Sequence, residues 1–507
     1  MMISPFNAKY YRLPETSVTF KTNDTALQGL YDRAENACRS NIVVYDGKPF
    51  LREGGDYRNL WLETQPMGGA MYACRNAEAA LNNILVFMQY QRRDGRMPGM
   101  LFEAPNKGLC AAYSWFQGFC FPEPALQMYY LIGEDKEYLR MLYDCLSDFD
   151  GYLWSYRDNG DGLLERWCCW DTGEDNLSVL LENGGTDGHF GGEFRPDTDG
   201  RGMPWKSMEF MAYSYCARNT LAGIAGILNN GKESCWASLA EQVREKTINE
   251  LWDPQRHACF DRYSSGEIID CLSHVNLRCM YYGLFTQDMA DEFVKYHLLN
   301  SKEFNTFIPL PSIAVNDPWF RNESKNNWSG PSQGLTWQRA AVALPKYGFH
   351  AEAVTFGKRW LDNLIRTDVI TQQYDPFTGK PGIGTDSYGP TALSALEYIA
   401  LMYGIRIEEN RLAFAAVRDE SSSVYTQKIG TDCYELIKNA DSFEVRRNGI
   451  TLFNASSGLR VVTDFNGNIM NAVSISPGTF TASIKGKNFM CQQILIPNQS
   501  MEICRKS

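Results

Sequence analysis

The residues best suited to acid–base chemistry are crowded between positions 165 and 176, in a loop that follows a predicted helix. The stretch contains four carboxylates and two tryptophans, namely Glu165, Asp171, Glu174, Asp175, Trp167 and Trp170. Crowded carboxylates raise one another's pKa and a neighbouring indole adds desolvation, so one carboxyl group can stay protonated near neutral pH. Such a group can serve as a general acid. The alternative interpretation is an acidic, solvated turn.

Two further segments carry polar and aromatic residues just before predicted helices. One covers residues 371–381, with the sequence Thr-Gln-Gln-Tyr-Asp-Pro-Phe-Thr-Gly-Lys-Pro, and the other covers residues 327–331, with the sequence Asn-Trp-Ser-Gly-Pro. Taken singly, each is weak, because proline and glycine at these positions are also typical of ordinary turns.

The composition of the chain disfavours several classes of function. The net charge of −11 and the absence of a basic block disfavour nucleic acid as a partner. The five histidines lie far apart without metal-ligand spacing, so we expect neither a zinc site nor a histidine-based triad. The 15 cysteines, without a CxxC pair, favour free thiols in a reducing compartment. With no signal peptide or membrane span in the sequence, we expect a soluble cytoplasmic protein.

The elements that position these segments are mostly helices. Apolar periodicity predicts helices from about residue 24 to 405, including 66–92, 207–229, 349–365 and 389–404. Helical hairpins repeated about six times can close into a double ring, an all-α (α/α)6 toroid. The long loops at 157–206, 301–330 and 366–388 would then gather at one mouth.

The two ends of the chain have a different pattern. Residues 1–23 are predicted to be an extended N-terminal segment, 24–405 the toroid, and 406–507 a small β-sandwich. Asn448-Gly449, between alternating runs, predicts a type I′ hairpin, and a second turn is expected at Asn466-Gly467.

Taken together and in this order, the three segments resemble the clan of helical-toroid glycosidases that contains glycoside hydrolase family 63 and the trehalases of family 37. The family motif W-E-S-G-x-D-N/S is similar to residues 170–176, with Asp171 in place of Glu and Thr172 in place of Ser. The motifs W-x-G-P and E-x-Y-x-P-x-T-G are matched by Trp328, Gly330, Pro331, Tyr374, Pro376, Thr378 and Gly379. The resemblance runs from about residue 55 to 400.

The resemblance implies hydrolysis of an α-glycosidic bond with inversion, on a small α-glucoside or α-mannoside and without a cofactor or metal. The family's general acid falls on Asp175, and its general base falls on residue 372. Inverting pairs stand roughly 6.5–9.5 Å apart to admit a water molecule. We expect sugar contacts from aromatic platforms and from polar side chains, namely Trp61, Trp170, Trp328, Tyr374, Glu63, Asp171, Gln333 and Asp386.

One departure from the family is chemically serious, because the base position holds Gln372 and a carboxamide cannot accept a proton near neutral pH. Three explanations stay open. The chain carries a deliberate substitution, or it is a natural homologue that only binds sugar, or another carboxylate positions the water. For the last explanation the candidates are Asp368, Asp375 and Asp386.

Two other hypotheses stay open because Gln372 occupies the base position. The first is a carbohydrate-binding homologue with little or no hydrolytic activity, on the same fold. The second is a sugar epimerase or polysaccharide lyase, for which His189 is the nearest histidine to the acidic loop. No pattern in the sequence indicates the oligomeric state.

Overall fold

The computed structural model describes residues 4–182, 193–196, 202–325, 328–382, 384–487 and 489–503. Helices dominate the first four-fifths of the chain. Those of the described residues are α1 Thr25–Ser40, α2 Gln65–Tyr72, α3 Ala77–Gln89, α4 Pro122–Leu131, α5 Lys136–Tyr156, α6 Ser178–Leu181, α7 Met208–Leu228, α8 Glu233–Glu250, α9 Val275–Tyr281, α10 Gln287–Phe293, α11 Gly334–Lys346, α12 His350–Thr367 and α13 Gly389–Tyr403.

Short strands lie between the helices, and longer ones form the C-terminal region. They are β1 Thr16–Thr22, β2 Ile42–Tyr45, β3 Lys48–Leu51, β4 Leu60–Trp61, β5 Met100–Ala104, β6 Gly108–Ala112, β7 Glu165–Arg166, β8 Trp205–Lys206, β9 Trp252–Asp253, β10 Ala258–Cys259, β11 Arg262–Tyr263, β12 Ser332–Gln333, β13 Gln373–Tyr374, β14 Ile405–Glu408, β15 Arg411–Ala416, β16 Ser423–Ile429, β17 Asp432–Lys438, β18 Ser442–Arg447, β19 Ile450–Ser456, β20 Leu459–Asp464, β21 Ile469–Ser474, β22 Phe480–Gly486 and β23 Met490–Leu495.

The helices begin where the sequence offers capping side chains. Asp24 accepts hydrogen bonds from the backbone N–H groups of Ala26 and Leu27, and Asp135 caps α5 in the same way. The single helix expected over 66–92 is instead two helices, α2 and α3. The break falls before Asn76, whose side chain accepts from the N–H of Ala79 and starts a new helix.

Six of the helices contact one another in a closed cycle. In order these are α2, α4, α7, α9, α11 and α13, and α13 in turn contacts α2. The last of them, α13, is buried along its whole length, whereas α12 buries only an apolar stripe that includes Phe356, Trp360 and Leu364. A helix that is apolar all round belongs inside and an amphipathic one outside.

The C-terminal region consists of two antiparallel sheets. One contains β14, β15, β20 and β21, and the other contains β1, β16, β17, β18, β19, β22 and β23. Phe414 of the first sheet contacts Tyr434 and Phe453 of the second, with ring centroids 6.4 and 5.7 Å apart, so the two sheets pack face to face. The N-terminal strand β1 pairs with β16 from Thr16↔Ile429 to Thr22↔Ser423. The extended N-terminal segment is therefore an edge strand of the C-terminal sheet.

The predicted turns lie in this region. Asn448 and Gly449 have φ of 51° and 76° and join β18 to β19, as a type I′ hairpin requires. Gly467 has φ of 85° in the connection from β20 to β21. None of the helices within the described residues combines the length and apolar character that crossing a bilayer requires.

The loops that precede α11 and α13 are tied together by a pair of very short strands. The pair β12–β13 places Gln333 opposite Gln373 and Ser332 opposite Tyr374. It therefore holds the segment that follows Trp328 against the segment that contains Gln372.

Candidate active site

A cleft of about 370 Å³, counting its open mouth, lies where these loops meet. Its lining comes from all three predicted loops and from two stretches nearer the N-terminus, namely Glu53, Tyr57, Trp61, Glu63, Gln117, Gly173, Asp175, Trp328, Leu335, Gln372 and Tyr388. Two larger cavities, of about 2330 and 1580 Å³, lie where the helices meet the C-terminal strands. Neither contains a residue of the three motifs, so the small cleft is the candidate site.

The acidic loop depends on Gly173 for its path. This glycine has φ of 76°, which an L side chain rarely adopts, and a Cβ there would overlap the Glu63 carboxylate. The turn leaves Asp175 half-buried at the cleft, where Gln117 Nε2 lies 3.5 Å from its Oδ1.

Below the loop, Asp171 is a buried anchor. Arg157 Nη1 lies 2.7 Å from Asp171 Oδ2, both side chains are fully buried, and the N–H of Trp167 donates to the same carboxylate oxygen at 2.9 Å. Burial is the largest single influence and would raise the pKa of Asp171, but the charge of Arg157 and the hydrogen bonds from Arg157 and the Trp167 N–H together hold that pKa below its usual value. The ionised carboxylate fixes the loop from beneath.

Glu174, next to the predicted acid, is held by a second buried network. Its carboxylate contacts Arg166 Nη1 and His274 Nε2, each at 3.1 Å. His274 stacks on Trp328 with ring centroids 5.4 Å apart, and burial together with the nearby Arg278 lowers its pKa to about 4. A neutral imidazole therefore links the acidic loop to an aromatic wall of the cleft.

Glu63 is the carboxylate of the cleft that is neutralised by arginines. Arg339 Nη2 lies 2.8 Å from Glu63 Oε1, and Arg278 Nη2 lies 3.8 Å from the same atom. Arg278 also contacts the buried Glu209 at 3.0 Å. These contacts keep Glu63 in a fixed orientation at the floor of the cleft.

Gln372, in the segment 371–381, is held at the cleft by hydrogen bonds from uncharged groups. Tyr57 Oη donates to Gln372 Oε1 at 2.9 Å, and the N–H of Gly334 donates to the carbonyl oxygen of Gln372 at 2.8 Å. Burial, followed by the negative charges of Glu53 and Asp175, raises the pKa of Tyr57, so its hydroxyl stays protonated as a donor.

Glu53 is a buried carboxyl group beside this tyrosine. Tyr388 Oη donates to Glu53 Oε1 at 2.7 Å, and the N–H of Gly389 donates to the Glu53 carbonyl oxygen at 2.7 Å. Burial is the main cause that raises the pKa of Glu53 to about 8, and the charges of Glu63 and Asp175 add to it. A Cβ on residue 389 would overlap the Glu53 carbonyl oxygen, so a glycine is required where α13 begins.

Half of the ten predicted site residues meet in the cleft. These are Trp61, Glu63, Asp175, Trp328 and Gln372. They come from four separate stretches of the sequence, and the fold brings them to one place.

The other five lie outside the lining and have different contacts. Asp171 is the anchor described above, and Trp170 packs edge-to-face on Trp115 with centroids 4.9 Å apart. Gln333 is fully buried and lies 3.3 Å from Gln373, and Tyr374 is a core residue against Trp360. The fifth, Asp386, is also one of the carboxylates considered as a substitute base.

Those substitute carboxylates all lie outside the cleft. Asp386 is exposed and accepts the N–H of Ile370 at 2.8 Å. Asp375 accepts the N–H groups of Phe377 and Thr378 in a turn, and Asp368 pairs with Arg33. These three residues are close to Gln372 in the sequence, but they do not share its cleft in the structure.

Four polar residues of the lining were not predicted from the sequence, namely Glu53, Tyr57, Gln117 and Tyr388. The local hints were that Tyr57 lies close in sequence to Trp61 and Glu63, and that Tyr388 ends the loop 366–388 expected at the mouth. Glu53 lies in a polar, glycine-containing loop and resembles a surface residue until Tyr388 and α13 cover it. His189, central to the lyase or epimerase hypothesis, lies outside the described residues, as does Asn327.

Comparison with solved structures gives relatives of the same fold. A family 63 mannosylglycerate hydrolase from Thermus thermophilus, in complex with glucose, is 19% identical with a TM-score of 0.59, over 73% of this chain and 99% of that one. The neutral trehalase Nth1 from Saccharomyces cerevisiae is 15% identical with a TM-score of 0.53, over 73% of this chain and 80% of that one. A sialidase is 13% identical with a TM-score of 0.66, over 89% of this chain and 41% of that one.

A family model adds a match in sequence. It describes the mannosylglycerate hydrolase MGH1-like glycoside hydrolase domain and matches residues 68–391, which include the acidic loop and both later motifs. The match covers more than half of the 507 residues. The chain therefore belongs to the MGH1-like family of glycoside hydrolases, related to family 63.

Proposed function

We propose that this protein hydrolyses the α-glycosidic bond of a small α-glucoside or α-mannoside with inversion, and that Asp175 is its general acid. One observation carries the proposal: the residues at the family's acid and base positions, Asp175 and Gln372, line one cleft. The substrate class follows the names of two relatives, a mannosylglycerate hydrolase and a trehalase.

In the proposed reaction, protonated Asp175 donates to the leaving oxygen while water attacks the anomeric carbon from the opposite face. Trp61 and Trp328 offer aromatic faces to the sugar ring, and Glu63, fixed by Arg339, accepts hydrogen bonds from sugar hydroxyls. The buried pairs beneath the loop support the acid because they fix its backbone before substrate arrives.

The size of the cleft supports a small substrate. Its volume is about 370 Å³ even when the open mouth is counted, so the enclosed space is smaller still. One sugar ring and a short aglycone suit this space better than a long chain bound along a groove.

The proposed scaffold is an (α/α)6 toroid. It is supported by the closed cycle of contacts among α2, α4, α7, α9, α11 and α13, with the intervening helices packed outside. The cleft then opens at the end of the inner ring where the long loops gather.

The experiment that tests this function is sugar release from a panel of small α-glucosides and α-mannosides, with the anomer of the product followed by NMR. We expect the unmodified chain to release a β-anomer first. Failure of both this chain and its Gln372→Glu variant on every substrate would reject the proposed function, and an initial α-anomer would reject inversion.

Gln372 itself favours a second candidate, a sugar-binding homologue that does not hydrolyse. In that case calorimetry detects binding of glucose or mannose to the unmodified chain, no product forms, and Gln372→Glu restores turnover.

A further inference from the structure

We propose that Glu53 is the catalytic base of this protein and deprotonates the attacking water in place of the carboxylate that Gln372 replaces. This inference rests on the proposed hydrolysis and names the residue that completes it. It is supported by the carboxylates that line the cleft and by their contacts.

Only three carboxylates line the cleft among the described residues, and these are Glu53, Glu63 and Asp175. Asp175 occupies the acid position. Glu63 is paired with Arg339 at 2.8 Å and lies 3.8 Å from Arg278, so its side chain is already engaged by two guanidinium groups. Glu53 has no arginine or lysine partner in an ion pair among the described residues. It is the one whose surroundings favour taking up a proton.

The contacts of Glu53 connect it to the position of the missing base. Glu53 accepts from Tyr388 at 2.7 Å, the ring of Tyr388 lies 5.9 Å from the ring of Tyr57, and Tyr57 donates to Gln372 at 2.9 Å. Glu53 and Gln372 are thus joined by two tyrosines on one wall of the cleft. Gln372 can orient a water molecule by hydrogen bonding, while Glu53 can take its proton.

The charges of Glu53 and Asp175 depend on each other. The Asp175 carboxylate is one of the charges that raise the pKa of Glu53. When Asp175 holds the proton that an acid needs, that charge is absent and Glu53 ionises more readily. Protonation of Asp175 therefore removes one of the causes that disfavour the ionised form of Glu53, in addition to burial and the Glu63 charge.

The step balances in atoms and charge. A water oxygen bonds to the anomeric carbon while the bond from that carbon to the leaving oxygen breaks. Glu53 takes one proton from the water, and Asp175 gives its proton to the leaving oxygen. Afterwards Glu53 is protonated and Asp175 is ionised, and exchange with solvent restores both.

The test compares Glu53→Gln and Glu53→Ala with Asp175→Asn on two kinds of substrate, the unactivated glycosides and the corresponding α-glycosyl fluorides. Fluoride leaves with little help from an acid, so loss of the acid is partly bypassed whereas loss of the base is not. We expect Glu53→Gln to lower kcat by about 10²–10⁴-fold on both kinds. In Glu53→Ala, sodium azide should restore turnover and give a β-glycosyl azide, because this small anion needs no base.

The matched control is Asp56→Asn, which removes an exposed carboxylate three residues along the same loop and outside the cleft. Thermal unfolding of each variant separates loss of activity from loss of fold. A normal rate for Glu53→Gln in an active chain overturns the role of Glu53 and leaves the hydrolase function standing. If the unmodified chain is inactive and Gln372→Glu is active, Glu53 does not act as the base and the sugar-binding candidate holds instead.

Discussion

The two walls of the cleft are held by different kinds of interaction, buried ion pairs on one side and neutral hydrogen bonds on the other. The acidic loop is held by fully buried charges, the pair Arg157–Asp171 and the network of Glu174 with Arg166 and His274. The opposite wall is held by neutral donors, with Tyr57 bound to Gln372 and Tyr388 bound to Glu53.

The contrast teaches where substitution can be tolerated. Removing one partner of a buried ion pair leaves an uncompensated charge, so the acidic loop cannot change one residue at a time. Exchange of a carboxylate for a carboxamide on the neutral wall keeps its shape and one acceptor oxygen. A glutamine at position 372 therefore fits this wall without disturbing it.

The largest expected effect comes from the acid itself. Asp175→Asn keeps the shape of the side chain but cannot donate the proton, so kcat on unactivated glycosides should fall by about 10²–10⁴-fold. Turnover of the glycosyl fluorides should fall much less. Equal losses on both substrates would mean that Asp175 is not the proton donor.

The next effect is on stability and tests the buried wall. Arg157→Gln strands the Asp171 charge in a fully buried place, and the free energy of unfolding should fall by about 3–5 kcal/mol. The control Lys358→Gln breaks the exposed Lys358–Asp362 pair and should cost about 0–1 kcal/mol. Denaturant unfolding of both variants measures the difference, and similar losses would contradict the role given to Asp171.

A smaller effect is expected from the turn at Gly173 in the acidic loop, where the backbone passes close to Glu63. Gly173→Ala meets both the cost of a positive φ and overlap with Glu63, so stability should fall by about 1–3 kcal/mol and kcat with it. Gly231→Ala is a matched control, since Gly231 has φ of 73° and open space around its Cβ. If both variants lose the same stability, contact with Glu63 adds nothing.

The smallest effect concerns pH and the neutral wall. The Tyr388 hydrogen bond lowers the pKa of Glu53, against burial and the charges of Glu63 and Asp175, which raise it. Tyr388→Phe should therefore raise that pKa further. A base works only when ionised, so the acidic limb of the kcat/KM profile should move to higher pH, by on the order of one unit. If the acidic limb of the profile does not move, Tyr388 does not set the pKa of the catalytic base.

The sequence by itself determined the features that depend on near neighbours. Apolar spacing gave the helices, with the stripe of Phe356, Trp360 and Leu364 on the buried face of α12. Asn448-Gly449 determined a hairpin, because both residues adopt a positive φ at low cost. The order of three motifs indicated the family, and the position of Asp175 in the first motif makes it the predicted acid.

Tertiary structure alone decided the features that join distant residues. Strand β1 pairs with β16 across some four hundred residues, and nothing local in either strand names its partner. Tyr374 lies in a motif and Gln333 follows another by two residues, yet both are fully buried, on opposite faces of the β12–β13 pair, because the surrounding fold covers both faces. Glu53 is buried in the same cleft as Asp175 because Tyr388 and the start of α13 pack over it. Its raised pKa depends on these surroundings, which the sequence does not show.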